Sequence, residues 1–166
     1  MSRPSGPNIT DLGQHHWTEV KAQVQEGRRV SVWEKFLEWT PERMVIFARY
    51  DPHMVVEAHG HRSDHYVFVV EGEITIGDRI CRGGTHITLP EGAVFGPLIA
   101  GPEGALLYEI MCGDPRAVPA DPEGFTALCA ERGIRVLPNP EVPWPAWLSE
   151  RTDGDPGRPD ESESLP

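Results

Sequence analysis

The sequence predicts an all-β fold, a single barrel or sandwich of short antiparallel strands, on three observations. Apolar residues alternate with polar ones in runs of four to eleven from Arg29 onward. DP, EG, GD, GG and PEG turns separate the runs at the spacing of a barrel or sandwich. Gly and Pro number 17 each in 166 residues, a turn-rich composition that argues against a helical bundle.

Taken in order, residues 1–14 carry no pattern and are expected to be a flexible N-terminus. Trp17–Gln25 (WTEVKAQVQ) has the length of a strand or of a short helix, and its periodicity does not decide. Arg29–Trp39 alternates, with Val30, Val32, Lys35, Leu37 and Trp39 interleaved with polar positions, and predicts a strand. Glu42–Tyr50 predicts a second and His53–His61 a third. Four residues then turn the chain, and Tyr66–Gly72, Glu73–Ile76, Thr85–Leu89 and Ala105–Met111 complete the series. One short helix follows: Asp121 is a helix-starting cap, Pro122 suits the first helical position, Glu123 complements the helix dipole, and Gly133 ends it. Trp144 and Trp147 are expected to pack back on the barrel or on a second subunit, because exposing both would be costly.

Size and charge bound the function. The length is that of one domain with one core, expected over 15–149. No apolar run approaches the ~20 residues of a membrane-spanning helix. Residues 1–10 lack the apolar core of a secretory signal. The three cysteines, Cys81, Cys112 and Cys129, form no C-x-x-C pair, so a reduced, cytoplasmic protein is expected. A formal net charge of -11 repels phosphate backbones and disfavours nucleic acid as a partner. Residues 150–166 are polar, acidic and rich in Pro and Gly. They are expected to be a disordered tail that cannot bury enough apolar surface to offset its ordering entropy.

The chemistry concentrates in His59–Gly72 (HGHRSDHYVFVVEG). Residues two apart on a strand share a face and lie roughly 6.6 Å apart, so His59 and His61 can reach one ion at ~2.1 Å. His65, opening the next strand, can approach the same ion from a second wall. Imidazole suits Zn, Fe, Cu and Ni rather than Ca or Mg. The competing reading, three histidines on a solvated face, sits poorly with Val55 sharing their register.

The spacing of these residues resembles the cupin family of small jelly-roll β-barrels. The first cupin motif is Gly, five residues, H-x-H, three or four residues, Glu, six residues, Gly. This chain matches it at His59, His61, the ligand slot at position 65 and Gly72. His53 stands at the leading Gly position, and His65 replaces the Glu. Gly84, Pro90 and Gly92 match the second motif, whose histidine is replaced by Phe95. The core motifs span 53–112. The resemblance implies one cupin barrel with a short C-terminal helix, a divalent metal (Fe(II) or Zn(II), with Ni or Mn as further options) and a homodimer.

On that basis His59, His61 and His65 are expected as ligands, with His86 on Thr85–Leu89 as a candidate fourth. Val67, Val69 and Phe95 are expected to line the substrate pocket, and Glu57 is a candidate acid/base group. Exchanging the carboxylate ligand for His65 leaves about two positive charges on a divalent ion, a stronger electrophile for an anionic oxygen. The leading functional expectation is a non-haem Fe(II) oxygenase acting on a small organic molecule. A redox-neutral Zn(II)-type cyclase, isomerase or lyase is the first alternative. A non-catalytic metal-dependent ligand binder is the second.

Overall fold

The computed structural model describes residues 6–149; the expected acidic tail, 150–166, lies outside them, as do residues 1–5. The fold is 56% strand and 11% helix, which bears out the all-β expectation. In chain order the elements are a 3₁₀ turn (Leu12–Gln14), β1 (Thr18–Gln25), β2 (Arg28–Trp39), β3 (Met44–Tyr50), β4 (Val55–Val56), β5 (His59–Ile76), β6 (Arg79–Arg82), β7 (His86–Leu89), β8 (Leu98–Pro119), α1 (Pro122–Glu131), β9 (Arg135–Val136) and α2 (Ala146–Ser149). All strand pairs are antiparallel, in the order β6-β5-β8-β3-β2-β1-β9, with β4 on β8 and β7 on β5.

The segment that periodicity left open is strand β1. It joins β2 through Glu26 and Gly27, both at positive φ (48° and 77°), the tight hairpin turn whose twist matches that of the flanking strands. A second difference lies in β5. The four residues after His61 do not turn the chain; they continue one 18-residue strand. Register shifts against β8 at His61/Arg62, Val69/Glu71 and Gly72/Ile74 let this long strand bend around the barrel without breaking. The expected strand His53–His61 is in turn divided. His53 sits in a turn at φ 63°, and only Val55–Val56 pair before β5 begins.

Burial along β5 alternates from His61 to Val70, so His61, Ser63, His65, Val67 and Val69 face inward. Val67 and Val69 meet Met44, Ile46 and Ala48 of β3, Leu107 and Met111 of β8, and Val30 and Val32 of β2 in one core. Gly72, the last residue of the first motif, has a physical reason to be glycine. Its φ is +73°, and an added Cβ would collide with the carbonyl oxygen of Gly104. Helix α1 starts as expected, with the Asp121 carboxylate accepting from the Gly124 N–H at 2.9 Å. The chain then returns across the open end of the barrel. There Trp144 meets Trp39 edge-on at 5.4 Å, Trp39 stacks on Phe36 at 4.6 Å, and Leu148 is buried. Of the two expected arrangements, Trp144 adopts packing against its own barrel.

Candidate metal centre and cavity

Three imidazoles lie side by side on the inward face of β5. The ring centroids of His59 and His61 are 5.1 Å apart, and those of His61 and His65 are 4.8 Å apart. Two imidazoles on one ion, with metal–nitrogen bonds of about 2.1 Å, place their centroids about 4.5–5.3 Å apart. Each neighbouring pair therefore has the separation that shared coordination requires.

Hydrogen bonds set the tautomers of the first two. His59 Nδ1–H donates to the Glu57 carbonyl and His61 Nδ1–H to the Pro115 carbonyl, each at 2.8 Å. The lone pair of each ring is then on Nε2, the arrangement that backbone carbonyls impose on ligating histidines. Burial pushes the His61 pKa down to about 3, helped by the neighbouring His65 and His59, and burial likewise lowers that of His59. Both rings are neutral near pH 7, as metal ligands must be.

His65 differs. Its Nε2 lies 2.8 Å from the Glu109 carboxylate, and both side chains are buried. Among the described residues its Nδ1 has no partner, and neither does the hydroxyl of Ser63, between His61 and His65 on the same face. Two orphaned polar atoms on this strip fit a site that takes up an ion or a water. Among the described residues, no three His, Cys, Asp or Glu side chains already converge as a metal ligand set. His59 and His61 fit such an ion as they stand; His65 is turned toward Glu109.

The remaining expected site residues fall on both sides of the wall. His86 pairs with Phe68 on the outer face, is exposed, and stacks 6.5 Å from Tyr66. It is not a fourth ligand, because strand parity points it away from His65. Sequence spacing along β7 was correct, but the face was not. Val67 and Val69 are buried in the packed core rather than on the cavity wall. Phe95 is also buried and absent from the cavity wall. It packs behind the histidines, 4.6 Å from the His59 ring and 5.6 Å from that of His65, and its backbone pairs with that of His59. Glu57 does line the cavity; its carboxylate is 3.8 Å from Lys21, and its carbonyl orients His59.

The cavity, of about 760 Å³, runs from His59 and His61 down the barrel. Strand register orders the side chains of the barrel interior, cavity wall and packed core together, as rungs. His65, Met111, Met44 and Trp39 form the first; Val67, Glu109, Ile46 and Phe36 the second; Val69, Leu107, Ala48 and Glu34 the third; and Ala105, Tyr50 and Val32 the base. Phe36, Met44, Val142, Trp144 and Leu148 make the mouth apolar.

Glu34, Tyr50 and Glu109, which also line it, were missed at the level of sequence. Glu34 lies in register with Val30, Val32 and Phe36 on the inward face of β2, which the expected pattern left after Val32 in favour of Lys35. An acid at even spacing in that apolar face was the available signal, and Glu109 between Leu107 and Met111 was another. Burial raises the Glu34 carboxyl to about 8, with the Glu109 charge adding to the shift and Lys21 opposing it. Burial, with the charges of Glu109 and Glu34, also holds the Tyr50 phenol well above its ordinary value.

A barrel of this topology with inward histidines on the 18-residue strand β5 defines the chain as a cupin-fold protein. Solved structures with the same architecture bear this out. It superposes on an acetylacetone dioxygenase from Acinetobacter johnsonii with a TM-score of 0.58 at 9% identity, covering 84% of this chain and 87% of that one. A putative acetylacetone dioxygenase from Methylibium petroleiphilum gives 0.59 at 13% identity, over 75% and 88% of the two chains. An RmlC-like cupin from Shewanella frigidimarina gives 0.52 at 19% identity, over 72% and 96%. These identities establish the fold alone. No family model matches the sequence, and no curated protein does.

Proposed function

We propose that the chain is a metal-dependent cupin enzyme acting on a small organic molecule that binds through an anionic oxygen, and that it is a non-haem Fe(II) oxygenase. The observation that carries this reading is the matched pair His59 and His61, each with Nδ1 tied to a backbone carbonyl and Nε2 left to coordinate. His65, third on the same strip, would complete the ligand set on turning from Glu109. The bound ion would supply Lewis acidity toward the substrate oxygen and, as iron, a site for dioxygen. The chain's own residues do the rest. Lys21 supplies positive charge on the cavity wall, Glu57 is an acid/base candidate held beside it, and the apolar mouth excludes water from the bound molecule. The oxygenase version is compatible with the fold, which two acetylacetone dioxygenases share.

A specific observation favours a second reading. Glu34, Tyr50 and Glu109 line the same cavity and can carry protons, as the general acid–base steps of a redox-neutral Zn(II) cyclase, isomerase or lyase require. One experiment separates them. Protein purified without chelator or added metal is analysed for bound metals, and oxygen uptake is followed with acetylacetone as the probe diketone. Stoichiometric iron with oxygen consumption supports the first reading, and zinc without it the second. No stoichiometric metal, with unchanged probe affinity after His59→Ala, overturns both.

A further inference from the structure

Glu34 has no structural role that its surroundings explain. It projects inward from β2 between Val32 and Phe36, opposite Ala48 on β3 and beside Tyr50 at the base of the cavity. No hydrogen bond or ion pair to a described residue holds its carboxyl, whereas Glu19, Glu38, Glu57, Glu73 and Glu109 each have such a partner. An acid left unpaired in an apolar barrel costs stability and needs a reason to be there. It stands two rungs below His65, four residues or about 13 Å along the strand.

We propose that Glu34 is a specificity-determining residue that hydrogen-bonds an acceptor oxygen at the far end of the substrate, so that the cavity selects molecules carrying two oxygens at opposite ends of an apolar body. One oxygen lies at the histidine end and the other at the base, with Ile46, Met44 and Phe36 packing the body between them. The groups facing Glu34 are Glu109 from β8, Lys21 from β1 and Tyr50 from β3. Burial, with the Glu109 charge adding to it, outweighs the lysine, so Glu34 is a neutral acid near pH 7 and can donate its O–H. Tyr50, also kept neutral, is a second donor at the same end. The proposal rests on the reading of this cavity as the substrate site, and it names the kind of substrate.

The test uses full-length Zn(II)-loaded protein and two probes of similar shape, 4-hydroxyacetophenone and 4-ethylphenol, which differ in the oxygen at the far end. Calorimetry of the wild type is expected to show a fivefold to tenfold preference for the ketone, about the value of one neutral hydrogen bond. Glu34→Met should abolish the preference while leaving 4-ethylphenol affinity unchanged; Glu34→Gln, which keeps a donor, should retain part of it. Both variants should also melt at higher temperature than the wild type at pH 7, because the unpaired acid is gone. Equal affinities in the wild type, no binding of the ketone, a preference that survives Glu34→Met, or a lowered melting temperature in both variants overturns the proposal. If replacing His59 and His61 with Ala leaves binding unchanged while Glu34 still discriminates, the metal reading fails and this one stands.

Discussion

His65 Nε2 and the Glu109 carboxylate lie 2.8 Å apart with both side chains buried, so the slot where the cupin motif places an acid holds a histidine paired to an acid from another strand. The carboxylate beside this slot is supplied by β8 rather than by β5. Glu109→Ala leaves the buried Nε2–H without an acceptor and should cost about 2–3 kcal/mol. Glu109→Gln, whose amide oxygen still accepts, should cost less than half of that. Urea denaturation followed by circular dichroism measures both, and an Ala variant as stable as the wild type would show that the pair contributes nothing.

Replacing His59 and His61 together with Ala should abolish stoichiometric Fe(II) or Zn(II) binding. The fold should survive, because both rings border the cavity rather than the packed core. Metal analysis after dialysis, with circular dichroism as the control, gives the result. Retained metal in the double variant would exclude these two as ligands.

Glu34 predicts an unusual pH dependence of stability. Its folded-state pKa of about 8 lies above the ordinary carboxyl value of 4.5, so between these values the folded protein binds a proton that the unfolded chain releases. The contribution is intact below about pH 4.5 and is lost as pH rises toward 8. The stability of Glu34→Gln relative to the wild type should therefore grow by up to about 1.36 kcal/mol per pH unit over that window. Parallel denaturation series from pH 4 to 9 check it, and a constant difference between the two proteins would contradict it.

Gly72→Ala should be among the most damaging single changes. It combines a strained φ of +73° with a collision against the Gly104 backbone, beside the register shift between β5 and β8 at Gly72/Ile74. A loss of about 3 kcal/mol or more, or insoluble expression, is expected. Gly84→Ala is the control: its φ is also positive, but no atom lies within 4 Å of an added Cβ, so it should cost clearly less.

Much of the fold was legible in the sequence because strands announce themselves locally. Turn residues punctuate them, and alternation marks the buried face. The single barrel, the helix begun by Asp121 and the inward run of His59, His61 and His65 all followed from residues a few positions apart. Parity along β5 needs no tertiary information as long as the strand is regular.

What the tertiary structure decided depends on strands far apart in the chain. Glu109 meets His65 across 44 positions, a partnership that periodicity cannot reveal. His86 has suitable spacing, but a strand's absolute facing is set by which neighbour it pairs with, and pairing with Phe68 turned it outward. Glu34 was hidden by one misread step in β2, since a slip of one residue exchanges every inward side chain for an outward one. The all-β barrel with a histidine strip was therefore written into local sequence. The acids that share its cavity, and the division of that cavity into a histidine end and an acidic base, emerged only once the sheet had closed on itself.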